Sequence, residues 1–318
     1  MNKSINLILK QRVTDSIQYS YISLVLGLDC NCHCSYCYQD IIKEKSSKLL
    51  RKKDLNRIVK YIRKQYKKNP YTAITFFGGE PLLYMDDIQY LLVQLSDTPL
   101  YKRIFTNGFL LNQDIVNLFN KNHVAVFISN DGPDSYNTRG YDILRDYKKV
   151  RLLNQIQDLT TSSVVYAGNE DIMAPLMYFK RYLLHNTESI FTPMQVYQKT
   201  QKYTKEFNWD LYKSSVLESY KKGYQVNYIF NGYRSGFATF IDGSIINLNT
   251  NTLVGQIDEN GDRIDFDVAD ELREKSGCLF EQCPWFKTPF CAYKVYQIED
   301  NTFCRKVAEV HKEIYNAI

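Results

Sequence analysis

Leu24-Val25-Leu26-Gly27-Leu28-Asp29-Cys30-Asn31-Cys32-His33-Cys34-Ser35-Tyr36-Cys37-Tyr38 joins an apolar run to a short loop carrying four cysteines. A brief continuous apolar stretch followed by polar residues reads as a buried strand and its exit, so the cysteines sit just past a strand end. Cys30, Cys34 and Cys37 hold the spacing Cys-x3-Cys-x2-Cys, which offers a metal centre three thiolates and withholds a fourth. A structural site closes its coordination shell, whereas a reactive one keeps a position open. Iron in a cubane cluster takes one thiolate per iron, so three cysteines imply one iron with an exchangeable site. Structural zinc is the alternative, because Cys32 makes a fourth thiol in the loop. Against zinc, Cys30-x-Cys32-x-Cys34 packs ligands more tightly than a Cys-x2-Cys knuckle. Cys32 is read as a non-ligand, with exchange for Cys30 or Cys34 left open.

Outward from this loop, β-type runs alternate with helical patterns, the signature of parallel strands joined by crossover helices. Strands are expected at Tyr21–Leu28, Thr72–Phe77, Lys102–Thr106, Val124–Ser129, Ser162–Ala167 and Ser189–Pro193, with helices near Asp54–Lys68, Met85–Leu95, Gln113–Asn122, Ile143–Gln157 and Ile172–Leu184. Six such units are too few for the closed eight-stranded barrel, and in barrels of this kind chemistry sits at the C-terminal strand ends.

The 318 residues, 44% of them hydrophobic, can bury a full core. No stretch approaches the roughly 20 apolar residues of a membrane span, and the first residues lack a secretion signal, so a cytoplasmic protein is expected. Thiols there stay reduced. All eight cysteines fall into two groups, residues 30–37 and 278–304, which favours metal over disulfides. The net charge of +5 is mild. The basic stretch Lys48–Lys68 reads as the solvated face of a helix whose apolar stripe is Leu55, Ile58, Val59, Ile62 and Tyr66. Without a nucleic-acid-binding module, no nucleic-acid partner is expected. The four histidines form no triad pattern and no Gly-x-Ser-x-Gly occurs, which disfavours hydrolysis.

Polar motifs follow the expected strands in order: Gly78-Gly79-Glu80-Pro81-Leu82 after the second, Thr106-Asn107-Gly108 after the third, and Ser129-Asn130-Asp131-Gly132-Pro133 with Arg139 after the fourth. The glycines suit close approach of a ligand to backbone amides. Together with Cys-Asn-x-x-Cys-x-Tyr-Cys-Tyr, these motifs resemble the radical SAM superfamily, and Phe-Phe-Gly-Gly-Glu-Pro-Leu resembles its peptide-modifying branch. The resemblance implies an α/β fold built as a partial (β/α)6 barrel. In that family the open iron of a 4Fe–4S cluster is chelated by S-adenosylmethionine, whose sulfonium is cleaved by one electron to a 5′-deoxyadenosyl radical. It implies that Cys30, Cys34 and Cys37 ligate the cluster, that Gly78, Gly79 and Glu80 hold the methionine end, and that Asn107 belongs to a cofactor-side turn. Ser129 and Arg139 would contact ribose and carboxylate, with Arg145 as the other arginine in reach of that role. Tyr36 would lie beside the adenine. The loosely matching Val165-Tyr166-Ala167-Gly168-Asn169 names no further contact.

From about Phe230 the character changes. Phe237–Ile241 and Ser244–Asn247 flank Asp242-Gly243, a strong hairpin signal, and Cys278, Cys283, Cys291 and Cys304 follow. The layout expected is a barrel over 1–229 and a small cysteine-rich module over 230–318. This module resembles the SPASM/Twitch extension of radical SAM enzymes. It departs from a full SPASM domain: Asn247 stands where a cysteine would follow the hairpin, Phe286 where a Cys-x2-Cys partner would lie, and Phe290-Cys291-Ala292-Tyr293-Lys294 replaces a glycine-rich cysteine stretch. Four thiols suffice for one auxiliary 4Fe–4S cluster, the favoured reading, with structural zinc or unligated thiols as alternatives.

The resemblance implies hydrogen abstraction from a peptide or protein substrate, with an electron donor such as flavodoxin or ferredoxin. Fewer than about thirty residues precede the cluster loop, so an N-terminal leader-peptide-binding domain is not expected, which weakens the peptide reading. That leaves a separate recognition protein or a small-molecule dehydrogenase as alternatives, and a noncatalytic iron–sulfur or zinc protein as the reading from another class.

Overall fold

The computed structural model describes residues 20–37, 53–184, 188–193, 206–224, 226–228, 237–247 and 252–266, with isolated helical positions between 306 and 317. Strand β1 (Ser20–Val25) pairs with β2 (Thr72–Phe77), and β3 (Tyr101–Thr106), β4 (Val124–Ser129), β5 (Leu159–Val165), β6 (Glu188–Pro193) and β7 (Val226–Tyr228) follow in chain order. Every one of these pairs is parallel. The crossovers carry α1 (Leu55–Lys68), α2 (Met85–Gln94), α3 (Gln113–Lys121), α4 (Ser135–Arg139), α5 (Tyr147–Leu153), α6 (Met173–Tyr182) and α7 (Trp209–Lys221). This is the expected α/β architecture.

Strand alternation assigns the two faces. Ile22, Leu24, Ile74, Phe76, Ile104, Val126 and Ile128 join Ile58, Ile62, Leu91 and Phe119 of the helices in one core. Each fully buried aliphatic chain contributes about 1.5–3 kcal/mol. On the other face Phe77, Phe105 and Phe127 form a ladder with ring centroids 6.2 and 4.7 Å apart, and buried Arg103 donates from Nε to Thr75 Oγ1 at 2.7 Å. Among the described residues no helix is long and apolar enough to cross a membrane.

Local signals account for the element ends. Asp54 caps α1 by accepting from the Arg57 amide. The single helix expected over Ile143–Gln157 is divided: Ile143–Arg145 is a 3-10 turn, and Asp146, in extended backbone, caps α5 by accepting from the Lys148 and Lys149 amides. Helix α7 and strand β7 were not anticipated.

The hairpin expected at Asp242-Gly243 is present as β8 (Phe237–Phe240) and β9 (Ser244–Asn247), with Gly243 at φ 87°. Strand β8 pairs in parallel with β1 through Ser23↔Ala238. Strands β10 (Thr252–Ile257) and β11 (Arg263–Asp265) extend the sheet antiparallel. Among the described residues the sheet therefore continues across the expected 229/230 boundary, its strand order running from β11 to β7.

The β10–β11 turn lies along the basic face of α1, whose Lys60, Arg63, Lys67 and Lys68 are exposed as expected. Arg57 Nη1 donates to Ile257 O at 3.2 Å, Lys60 Nζ to Glu259 O at 3.0 Å, and Lys64 pairs with Asp262 at 2.6 Å. A Cβ on Gly261 would lie 2.6 Å from Lys60 Cβ. The turn's carbonyls and carboxylate recruit these cations at the surface.

Candidate metal and cofactor site

The loop that carries the cysteines is built onto the end of β2. Beyond the last ladder residues the backbones of β1 and β2 stay zipped: Leu26 N donates to Phe77 O at 3.2 Å, Gly79 N to Gly27 O at 2.9 Å, and Glu80 N to Asp29 O at 2.8 Å. A Cβ on Gly78 would sit 2.2 Å from Gly27 O, and one on Gly79 would sit 2.0 Å from Asp29 O. Gly78 also adopts φ 133°, which favours glycine. The motif is thus brought against the residues just before Cys30. The amides of Gly79 and Glu80 are engaged with the carbonyls of Gly27 and Asp29, so the glycines permit close approach of two backbones.

Glu80 joins three elements. Its Oε1 accepts from Leu82 N at 2.9 Å and from Thr106 Oγ1 at 2.6 Å, and its Oε2 accepts from Asn107 N at 2.8 Å. Burial pushes this carboxyl up to about 7, against the lowering pull of those three donors. Asn107 in turn accepts from Phe109 N at 2.9 Å, and its Nδ2 donates to Asn31 Oδ1 at 2.8 Å and lies 4.0 Å from Cys30 Sγ.

A second clamp lies on the other side of the loop. Tyr84 ends the 3-10 turn Pro81–Tyr84; its hydroxyl donates to Asp29 Oδ2 at 2.9 Å and accepts from Asp29 N at 3.1 Å. The ring fills the space over Gly27, where a Cβ would meet the hydroxyl at 2.1 Å. No sequence pattern marked Tyr84.

Downstream of Cys34 the loop docks on the end of β4. Ser35 N donates to Thr138 O at 2.8 Å, and Tyr36 OH donates to Asp131 Oδ2 at 2.5 Å. Asp131 also accepts from both Nε and Nη2 of Arg139 at 2.9 Å, from Thr138 Oγ1 at 2.8 Å and from Val164 N at 3.1 Å. The Arg139 guanidinium lies 5.4 Å from the Tyr36 ring centroid, and Tyr166 flanks that ring at 6.0 Å. Burial drives the Tyr36 phenol well above its ordinary range. Ser129 ends β4 half-buried, in register with Ser162. Arg145, the alternative arginine, is exposed and paired with Asp142 at 3.3 Å. Asp131 was visible in the motif but carried no assigned role.

The donors suit a cluster. Cys30, Cys34 and Cys37 are partly buried and unbridged. Burial pushes the Cys34 thiol up to about 11; Arg139 pulls it down, while Cys37, Asp131 and Cys30 push it further up. Uptake of a metal by these thiols would displace protons. Cys32 N donates to Cys30 Sγ at 3.4 Å. Among the described residues no three cysteine, histidine or acidic side chains close on a single point as ligands of a lone ion do. Cys278, Cys283, Cys291 and Cys304 lie outside the described residues.

Residues 24–188 match the profile of the radical SAM superfamily. The chain is 27% identical over 247 residues to the radical SAM cyclopropyl synthase TigE of Paramaledivibacter caminithermalis, an alignment that covers 70% of this chain and 50% of TigE. The chain spans about half the length of the curated relatives it matches, 50% and 53%. Among solved structures, anSMEcpe with bound AdoMet and the Kp18Cys peptide superposes with a TM-score of 0.61 at 18% identity, covering 93% of this chain and 100% of that one. Streptococcus suis SuiB superposes with a TM-score of 0.55 at 14% identity, covering 85% and 69% respectively. At these identities the likeness is one of fold.

Proposed function

The chain belongs to the radical SAM superfamily, and on that premise we propose that it is an enzyme that cleaves S-adenosylmethionine reductively and abstracts hydrogen from a peptide or protein. The observation that carries this reading is the zipper between residues 26–29 and 77–80, which sets the three-cysteine loop against the Gly-Gly-Glu turn at the C-terminal end of β2. When bound, a 4Fe–4S cluster with S-adenosylmethionine supplies the reducing electron and the carbon radical that such chemistry needs.

The chain's own residues have separable tasks. Cys30, Cys34 and Cys37 hold the cluster. Gly78, Gly79 and Glu80 form the floor for the methionine end, with Glu80 fixing the strand ends by its three donors. Asn107, beside Cys30 and Asn31, orients the cofactor side of the loop. Ser129 and Arg139 serve the ribose and carboxylate of the cofactor, Arg139 with its guanidinium held by Asp131, and Tyr36 walls the adenine.

A peptide substrate is supported by the peptide held in anSMEcpe and by SuiB in complex with its precursor peptide SuiA. The second cysteine group, Cys278, Cys283, Cys291 and Cys304, would form one auxiliary cluster of SPASM/Twitch type in a module over 230–318, able to take an electron from a substrate radical. The first electron would come from a flavodoxin or ferredoxin. Anaerobic reconstitution with iron and sulfide, reduction, and assay for 5′-deoxyadenosine test the proposal. Production that vanishes in Cys34→Ala supports it; none from a chain with verified cluster overturns it.

A further inference from the structure

We propose that Asp131 is a positioning residue that braces the cluster loop through the Tyr36 hydroxyl, holding Cys34 and Cys37 in ligating geometry before metal arrives. The inference rests on the reading of Cys30, Cys34 and Cys37 as cluster ligands. Most bonds to Asp131 are local: Thr138 and Arg139 lie on the following turn, and Val164 on the neighbouring strand. The bond from Tyr36 is different, because it spans 95 positions and originates between two of the proposed ligands.

Three contacts hold the same short segment against this anchor. They are Tyr36 OH on Asp131, Ser35 N on Thr138 O, and the Tyr36 ring beneath the Arg139 guanidinium. The Asp131 side chain has no exposed surface, and its bidentate pairing with Arg139 fixes the carboxylate plane. A buried anion so oriented presents Oδ2 to one phenol position, and so dictates where the backbone between Cys34 and Cys37 runs. Fixing a loop residue costs conformational entropy. A loop ordered in advance by the brace does not draw that cost from metal binding. Tyr36 then has two functions, with its ring facing the cofactor and its hydroxyl anchoring the loop.

The test uses the full chain, reconstituted anaerobically, with release of iron to a chelator as the readout. Tyr36→Phe keeps the ring and removes only the hydroxyl. It should release iron about tenfold faster, the factor supplied by one hydrogen bond to a charged group, and the apoprotein should keep its circular dichroism. Tyr166→Phe is the matched control, since its ring flanks Tyr36 while its hydroxyl donates to Asp134; it should release iron like the parent. Asp131→Asn should accelerate release at least as much as Tyr36→Phe. Parental release from Tyr36→Phe, or equal acceleration by both tyrosine variants, overturns the brace. A parent chain that takes up no cluster overturns the ligand reading itself, an outcome recognisable before any variant is compared.

Discussion

Replacing Glu80 by Gln should remove a specific pH dependence from the stability of the fold. Glu80 is 1% exposed, and burial raises its carboxyl from an ordinary 4.5 to about 7. A raised carboxyl means that the folded state holds its proton more tightly than the unfolded one. Its contribution is therefore fully present below pH 4.5 and lost as pH rises through about 7. At about 1.4 kcal/mol per pH unit, the window is worth roughly 3 kcal/mol. Gln cannot ionise, and its amide sets an N–H against one of the donors from Leu82, Thr106 or Asn107, a fixed cost of about 1–3 kcal/mol at every pH. Urea unfolding of the metal-free, reduced chain at pH 4.5, 6 and 8 separates the two effects. The parent's advantage over Glu80→Gln should shrink by roughly 3 kcal/mol between the first and last conditions. A constant difference, or one that grows with pH, would refute the assignment of burial as the dominant influence on Glu80.

Gly79→Ala should be more damaging than its size suggests, because the new Cβ would lie 2.0 Å from Asp29 O. Forced separation should cost at least the roughly 1–3 kcal/mol of an overpacked site and reduce iron content per chain; a thermal melt and an iron assay check both, and parental values for both would contradict the zipper. Tyr84→Phe removes the hydroxyl that contacts Asp29 twice and should cost about 1–2 kcal/mol in urea unfolding. Lys64→Ala breaks a half-exposed pair with Asp262 and should cost no more than about 1 kcal/mol; a larger loss would mean that the β10–β11 turn depends on that ion pair.

The parallel sheet was legible because its strands are continuous apolar runs separated by helical periodicity. Thr72–Phe77 and Val124–Ser129 occupy the anticipated residues. The break at Asp146 was hidden because capping and helix-interior aspartates look alike until the backbone is seen. The pairing of β8 with β1 was also invisible, since it joins segments more than two hundred residues apart and no local pattern encodes it. The same holds at the candidate site. The spacing of Cys30, Cys34 and Cys37 and the order of the glycine and Asp-Gly turns can be read directly. The hydroxyl of Tyr84 on Asp29 and that of Tyr36 on Asp131 depend on packing between elements, which a linear motif does not carry.

The most direct measurement is electron paramagnetic resonance of the reduced N-terminal cluster in a chain with Cys278, Cys283, Cys291 and Cys304 changed to Ala. An iron with one position free of thiolate should respond to S-adenosylmethionine, so adding it should change the g-values of the spectrum. A spectrum identical with and without S-adenosylmethionine, from a chain shown to hold four irons, would mean that no iron is open and that the cysteine loop serves another purpose.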